Sequence, residues 1–388
     1  MKFVRKKENT ERYVDTIFSV VNAAKADPLA INATAGCLYD EEGKLLTFKC
    51  VYDAEKTIQP AKRAAYASSP SGNADYIDTI SKFVLDGRVK NHHRAIATPG
   101  GTGAIATAVT SCLDEGDTIL YPQIAWGNYK VIAAEHNLRS LTYDVYDLGD
   151  LFEKIDSIDG KVFLIINSPC QNPLGQAYSY EEWKKIIGKL DSLDKEVVLL
   201  CDIAYIDYAD GDPKAYFPLF DSIGDHILVL LCASCSKAFS YYGQRLGALI
   251  AVNNDEEFLD HYINLCSRLA RATWSNLNNA AMINIAQVLS EHRKEYDEEL
   301  LAAKKMLKER TDLFIGQAKE CALELYTSCG GFFVTIAYDD NKKRDEDHQK
   351  LIDHHIYTIK VNKGIRVGLC SVPLKTVDGL AYKIKELI

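Results

Sequence analysis

A lysine sits in the run Ser234-Cys235-Ser236-Lys237-Ala238-Phe239-Ser240-Tyr241-Tyr242-Gly243-Gln244-Arg245-Leu246-Gly247, directly after the apolar stretch Ile227 to Ala233. An amine at the mouth of a buried strand is partly desolvated, which lowers its pKa and leaves a nucleophile able to form a Schiff base. A lone lysine is most simply a solvated surface residue, but the motif around this one argues against that. Ser234, Ser236 and Arg245 offer donors for a phosphate, Arg245 bidentately, while Gly243 and Gly247 permit close backbone packing.

A second anion site is expected at Thr98-Pro99-Gly100-Gly101-Thr102-Gly103-Ala104, where glycines lead into a helix. Unpaired N–H groups and the positive end of the helix dipole would there meet one phosphate. The dinucleotide fingerprint and the Walker A pattern are both absent, so no nucleotide is implied. A lysine, a buried acid (Asp202) and a single phosphate loop together suggest pyridoxal phosphate.

These residues need elements to hold them. Val162 to Ile166, Val197 to Leu200, Ile227 to Cys232 and Ala248 to Val252 read as buried strands. Ser179-Tyr180-Glu181-Glu182 is a capping box that opens a helix through Leu190. Strand, helix, strand in this rhythm implies parallel pairing with helices on both faces. The polar residues fall where the strands end: Asn172 after the first, Asp202 and Tyr205 after the second, Ser234, Ser236 and Lys237 after the third. Ligands of open α/β sheets sit at that edge. Any one of these polar groups could be an ordinary loop residue; their recurrence strand after strand points to one site.

The termini read differently. Thr10 to Ala26 carries Tyr13, Val14, Ile17, Phe18 and Val21 at helical spacing, ended by Asp27-Pro28. From about Ser275 a long helical region leads to a strand at Gly331 to Ile336, a strand pair near Ile356 to Val361 and Arg366 to Leu369, and a closing helix from Thr376. The expected architecture is α/β: a mostly parallel sheet flanked by helices over residues 50–280, plus a smaller α+β domain built from 1–49 and 281–388. The length of 388 residues suits two domains.

Composition excludes several classes. Apolar residues at 47% and charged residues at 26% are globular values, which removes disordered and fibrous chains. A net charge of −9 gives no overall pull on nucleic acid or anionic lipid. Eleven scattered cysteines do not form a disulfide framework and favour a reducing cytoplasm. Neither a secretory signal nor a membrane-length apolar run is visible. Cys232 and Cys235 have zinc-like spacing but no second pair, so buried inert thiols are expected and no metal. The mixed-charge run Glu291 to Arg310 reads as a solvated helix face.

Taken together, the chain resembles the class I aminotransferases of the aspartate and aromatic amino acid type, enzymes of the fold-type-I pyridoxal-phosphate group. The resemblance rests on Ser-x-Ser-Lys followed by Gly-x-Arg-x-Gly, then Asn172-Pro173-Leu174-Gly175, Asp202-Ile203-Ala204-Tyr205, Gly100-Gly101-Thr102-Gly103-Ala104 and Arg366-Val367-Gly368-Leu369. It runs from about Asp27 to the C-terminus. By this likeness Lys237 would hold the cofactor and move the proton, and Asp202 would pair with the pyridinium nitrogen. Tyr205 and Asn172 would bind the ring's phenolic oxygen, and Trp126 would stack on the ring. Gly101, Thr102, Ser234 and Arg245 would hold the phosphate, joined by Tyr66 from a neighbouring subunit of a homodimer.

The same likeness implies that Arg366 and the backbone at Gly36 clamp the substrate carboxylate, while Arg271 reads a side-chain carboxylate across the dimer interface. Arg271 as a plain surface arginine and Trp126 as a core aromatic remain the simpler readings of each residue alone. Leu174 departs from the family's threonine and removes a hydroxyl beside Asn172. The implied activity moves the amino group of an acidic or aromatic L-amino acid to a 2-oxo acid such as 2-oxoglutarate, in ping-pong order. Two rivals are a carbon–sulfur β-lyase on the same cofactor, which would release ammonia and pyruvate, and a cofactor-sensing regulator. The latter would need a DNA-binding domain ahead of Asp27.

Overall fold

In the computed structural model residues 16–388 are described, so Tyr13 and Val14 of the expected first helix lie outside the described residues. That helix covers Thr16–Ala26 and ends, as expected, before Asp27-Pro28. The strands are β1 (Ile31–Asn32), β2 (His92–Thr98), β3 (Thr118–Pro122), β4 (Arg139–Tyr143), β5 (Val162–Asn167), β6 (Val197–Asp202), β7 (Ile227–Ser234), β8 (Gly247–Asn253), β9 (Phe333–Ala337), β10 (Ile356–Tyr357), β11 (Ile359–Val361) and β12 (Gly364–Gly368).

Seven of them form one sheet in the order β2-β8-β7-β6-β5-β3-β4. Every residue of β5 and β6 is buried, as a strand covered on both faces requires. The two faces feed separate cores. Leu164, Ile166, Leu199 and Leu231 enter one, and Phe163, Ile165, Leu200 and Leu230 the other. The capping box closes in both directions, Ser179 accepting from the Glu182 N–H and Glu182 from the Ser179 N–H, and it starts the helix Tyr180–Asp191.

The sheet is mostly parallel, as expected, with one strand reversed. β8 runs antiparallel to both neighbours, β7 and β2. A parallel return would need a crossover helix, and the link Cys235–Leu246 has room only for the single helical turn Cys235–Ala238 and a tight 3-10 turn. The chain therefore doubles back. Its consequence matters: Arg245 enters β8 at the same edge where β7 ends, with Ser234 and Thr98 both level with Gly247.

The C-terminal part is also more broken than the sequence pattern suggests. The expected strand Ile356 to Val361 divides at Thr358. β10 pairs parallel with β1, and β11 pairs antiparallel with β12, which in turn pairs with β9. The closing helix is two pieces, Leu374–Val377 and Leu380–Leu387, parted at Gly379 with φ +83°. The charged run Glu291 to Arg310 is not wholly solvated: within the helix Arg293–Glu320, Tyr296, Leu307 and Arg310 are buried, and Arg310 pairs with Glu41 at 2.6 Å. Ala33 joins Phe314, Val334, Ile336, Ile365 and Val367 in a third core, so an N-terminal residue packs with the C-terminal elements. Among the described residues no helix is long and apolar enough to cross a membrane.

Candidate active site

Strand register does the assembly. Asn167 at the end of β5 is level with Asp202 at the end of β6, and Asp202 with Cys232 on β7. Residues far apart in sequence thus open onto a cavity of about 390 Å³ at the strands' carboxyl edge. Gly101, Thr102, Trp126, Asn172, Asp202, Tyr205, Ser234, Lys237 and Arg245 all line it. Cavities of this size suit small ligands.

Lys237 lies one helical turn beyond β7 and donates to the Gly36 carbonyl. Burial pushes its amine below the ordinary lysine range, because a dry site disfavours the charged form. The rings of Tyr242, Tyr205 and Phe332 lie 4.8, 5.6 and 5.6 Å from it, within reach of its charged form. Asp202 is buried, which raises its pKa; hydrogen bonds from Tyr129 and the Ala204 N–H oppose that rise. Burial also pushes the Tyr205 phenol up. Asn172 sits between Tyr205, 3.5 Å from its amide nitrogen, and Arg366, whose Nη1 donates to Asn172 Oδ1 at 3.2 Å.

Arg366 arrives from β12. Its Nη2 donates to the Thr34 carbonyl at 2.7 Å, and its guanidinium lies 4.2 Å from the centre of the Phe333 ring. Its Nε is buried without a partner, a costly state that an incoming anion would relieve. The phosphate corner is shaped by glycines. Gly100 has φ +72°, and a Cβ there would stand 2.5 Å from Arg245 Nη2. A Cβ on Gly247 would stand 2.5 Å from the Ala233 carbonyl and 2.8 Å from Gly100. Helix Gly100–Cys112 begins at this corner, and Gly101 and Thr102 of its first turn line the same cavity as Ser234 and Arg245. Helix N–H groups, a hydroxyl and a guanidinium are the donors a phosphate needs, and the Asp202 carboxylate, lining the same cavity, is the acceptor a protonated ring nitrogen needs.

Arg366 and Gly36 are not among the lining residues but touch them, Arg366 donating to Asn172 and Gly36 accepting from Lys237. Two further expected residues lie elsewhere. Tyr66 is 89% exposed, and Arg271 is exposed with its Nη1 donating to Ser275 Oγ at 2.5 Å. Neither lines the cavity. Other residues escaped the sequence reading. Asn167 donates to the Asp202 carbonyl and accepts from the Asn172 N–H, both at 2.8 Å; its signal was a polar residue closing an apolar strand. Cys37 and Tyr242 line the cavity, and the Leu38 N–H donates to the Tyr242 hydroxyl at 2.9 Å. That bond ties the Gly36 segment to the lysine motif, and no local pattern announces it. Cys232 and Cys235 are buried free thiols, Cys232 pushed far up and Cys235 to about 12 by burial.

The family "Aminotransferase class I and II" matches residues 30–384 of the chain. A crystal structure of an aminotransferase from Anaerococcus prevotii is 32% identical, with 99% of this chain and all of that one covered at a TM-score of 0.93. Mitochondrial aspartate aminotransferase of Gallus gallus is 26% identical over 393 residues, 96% of this chain and 92% of its own. Tyrosine aminotransferase of Rhizobium meliloti is 24% identical over 299 residues, 74% of this chain and 76% of its own. A Burkholderia pseudomallei aromatic-amino-acid aminotransferase, covalently bound to pyridoxal phosphate, shares the fold at a TM-score of 0.82, with 20% identity and 98% of each chain covered.

Proposed function

The chain belongs to the class I and II aminotransferases, and from that premise we propose that it moves the amino group of an acidic or aromatic L-amino acid to a 2-oxo acid such as 2-oxoglutarate, in ping-pong order. It is a transaminase that works with pyridoxal 5'-phosphate, on a fold-type-I scaffold. The observation that carries the reading is the pairing of the Lys237 amine and the Asp202 carboxylate in one cavity with Gly101, Thr102, Ser234 and Arg245.

When bound, the cofactor supplies an aldehyde for amines and an electron-withdrawing ring. The protein's groups do the rest. Lys237, with its lowered pKa, holds and moves a proton at the substrate α-carbon. With the cofactor in place, Asp202 would keep a proton on the ring nitrogen, Tyr205 and Asn172 would bind the phenolic oxygen, and Trp126 would stack on the ring. Gly101, Thr102, Ser234 and Arg245 would hold the phosphate. Arg366 orients the substrate by its α-carboxylate, with the Gly36 backbone beside it.

Tyr66 and Arg271 complete the reading from a second copy in a homodimer: Tyr66 toward the phosphate, Arg271 toward a side-chain carboxylate. Their exposure in the single chain supports this. Eleven free thiols support a cytoplasmic location. A small domain of 1–49 and 281–388 beside a large one of 50–280 draws support from the third core, which joins Ala33 to residues 314–384, while Leu38, Phe48, Tyr296, Phe332 and Phe333 pack in the first core with the large domain.

The test is a half-reaction. One amino acid, with no acceptor, should yield one equivalent of 2-oxo acid per site, with a change in cofactor absorbance and no ammonia; ammonia and pyruvate instead would make it a lyase. Arg271→Leu should then cut kcat/KM for aspartate and glutamate by roughly 10- to 100-fold, the worth of a hydrogen bond to a charged group. Tyrosine and phenylalanine should change little. Unaltered acidic donors would remove Arg271 from the assignment.

A further inference from the structure

The first turn of helix Asn128–Glu135 aims a buried tyrosine at the site's carboxylate. Tyr129 Oη donates to Asp202 Oδ2 at 2.6 Å, and both residues are buried. The phenol ring is fixed by Trp126, 5.5 Å away at 87°, and by Tyr121, 6.1 Å away at 51°. One short segment therefore carries both the aromatic proposed for the ring face and the group that anchors Asp202.

We propose that Tyr129 is a positioning residue that holds the Asp202 carboxylate in its anionic form and fixed orientation, and so keeps the cofactor's ring nitrogen protonated. This rests on the reading of the cavity as the pyridoxal-phosphate site. The bond is short, buried and made to a charged acceptor, the strong class of hydrogen bond. The other oxygen, Oδ1, accepts from the Ala204 N–H at 3.2 Å, so Tyr129 is the closer of the two donors.

The donor is also constant. Burial pushes the Tyr129 phenol far above its ordinary range, so it keeps its proton throughout the working pH range. The other titratable groups facing Asp202 are Cys232 from β7, Cys201 on its own strand and Tyr205 in the turn beyond; burial raises all three, and they stay neutral as well. Both donors to the Asp202 carboxylate are neutral, while the cationic side chains of Lys237 and Arg245 open onto the same cavity without bonding to it. The charge of Asp202 depends on burial, which favours protonation, against the hydroxyl and one N–H, which oppose it.

Tyr129→Phe removes one oxygen and keeps both ring contacts. Without its donor, Asp202 takes up a proton at higher pH. The acid-side midpoint of cofactor binding, followed by absorbance and fluorescence titration, should therefore move up by about 1 to 2 pH units, a ten- to hundred-fold change in proton affinity. At fixed pH the ¹⁵N resonance of labelled cofactor should move from pyridinium toward neutral pyridine. Tyr143→Phe is the control, since it loses an equally buried bond, to the Ile165 carbonyl at 3.0 Å, that does not touch Asp202; it should leave both readouts unchanged.

A measurement on the unaltered enzyme needs no variant. With ¹³Cζ-labelled tyrosine, the Tyr129 signal should remain at the un-ionised phenol position through neutral pH and move only as Asp202 is protonated. If Tyr129→Phe lowers the melting temperature while the binding midpoint and ¹⁵N shift stay at wild-type values, Tyr129 is merely structural and the proposal is overturned. A wild-type protein that takes up no cofactor at Lys237 instead overturns the reading of the cavity, and the two failures are distinct.

Discussion

Lys237→Ala should reduce amino transfer by about 10⁴-fold or more with every donor, because it removes the proton carrier and the amine that fixes the cofactor. Lys237→Arg should lose as much. A guanidinium keeps the charge but does not give up its proton at working pH, nor does it form the Schiff base. Borohydride reduction followed by peptide mapping should tag Lys237 in the wild type and nothing in either variant. The amine's lowered pKa adds a pH expectation with a definite sign. The rate of aldehyde capture by cofactor-free enzyme should rise with pH and level off below the ordinary lysine pKa, since the free amine forms earlier than on a surface lysine. Capture that keeps rising through that range, or a tag on another lysine, would contradict the assignment.

Arg366→Leu should lower kcat/KM for acidic and aromatic donors alike, by roughly 30- to several-thousand-fold, as expected for truncating one side of a buried charge pair. The guanidinium is held by Asn172, Thr34 and Phe333 before any substrate arrives, so it meets a carboxylate with little further ordering. Its unpartnered Nε is the atom with most to gain. Amines that lack an α-carboxylate should react equally poorly with wild type and variant. A loss confined to aspartate and glutamate would transfer the role to the side-chain end of the substrate and exchange the assignments of Arg366 and Arg271.

The parts of the site read most readily from sequence are those carried on single contiguous stretches. Ser234 to Gly247 places lysine, hydroxyls, arginine and glycines within one strand end and the turn beyond it, so residue type and spacing suffice. Asp202 and the Gly100–Ala104 loop are similar: each is a polar or glycine-rich interruption just past an apolar run. The strands themselves were legible because burial on both faces leaves uninterrupted Val, Ile and Leu runs. Direction was not. The apolar run of β8 reads alike whether parallel or antiparallel, and only the short link before it decides the matter. The split at Thr358 was hidden for a related reason, since one extended segment can serve two sheets without any change in composition.

The amino-acid sequence on its own pointed to the chemistry through a desolvatable lysine, an acid and a glycine-led anion loop, each legible from local residue types and short-range backbone rules, while Arg366 entered through the family resemblance. The tertiary structure alone decided which groups meet. Tyr129 reaches Asp202 across 73 residues, Arg366 reaches Asn172 across 194 and Lys237 reaches Gly36 across 201. Such pairs depend on strand register and on how the terminal elements fold back over the sheet edge. No local propensity encodes that geometry, because it comes from the packing of whole elements and not from the sequence beside either partner.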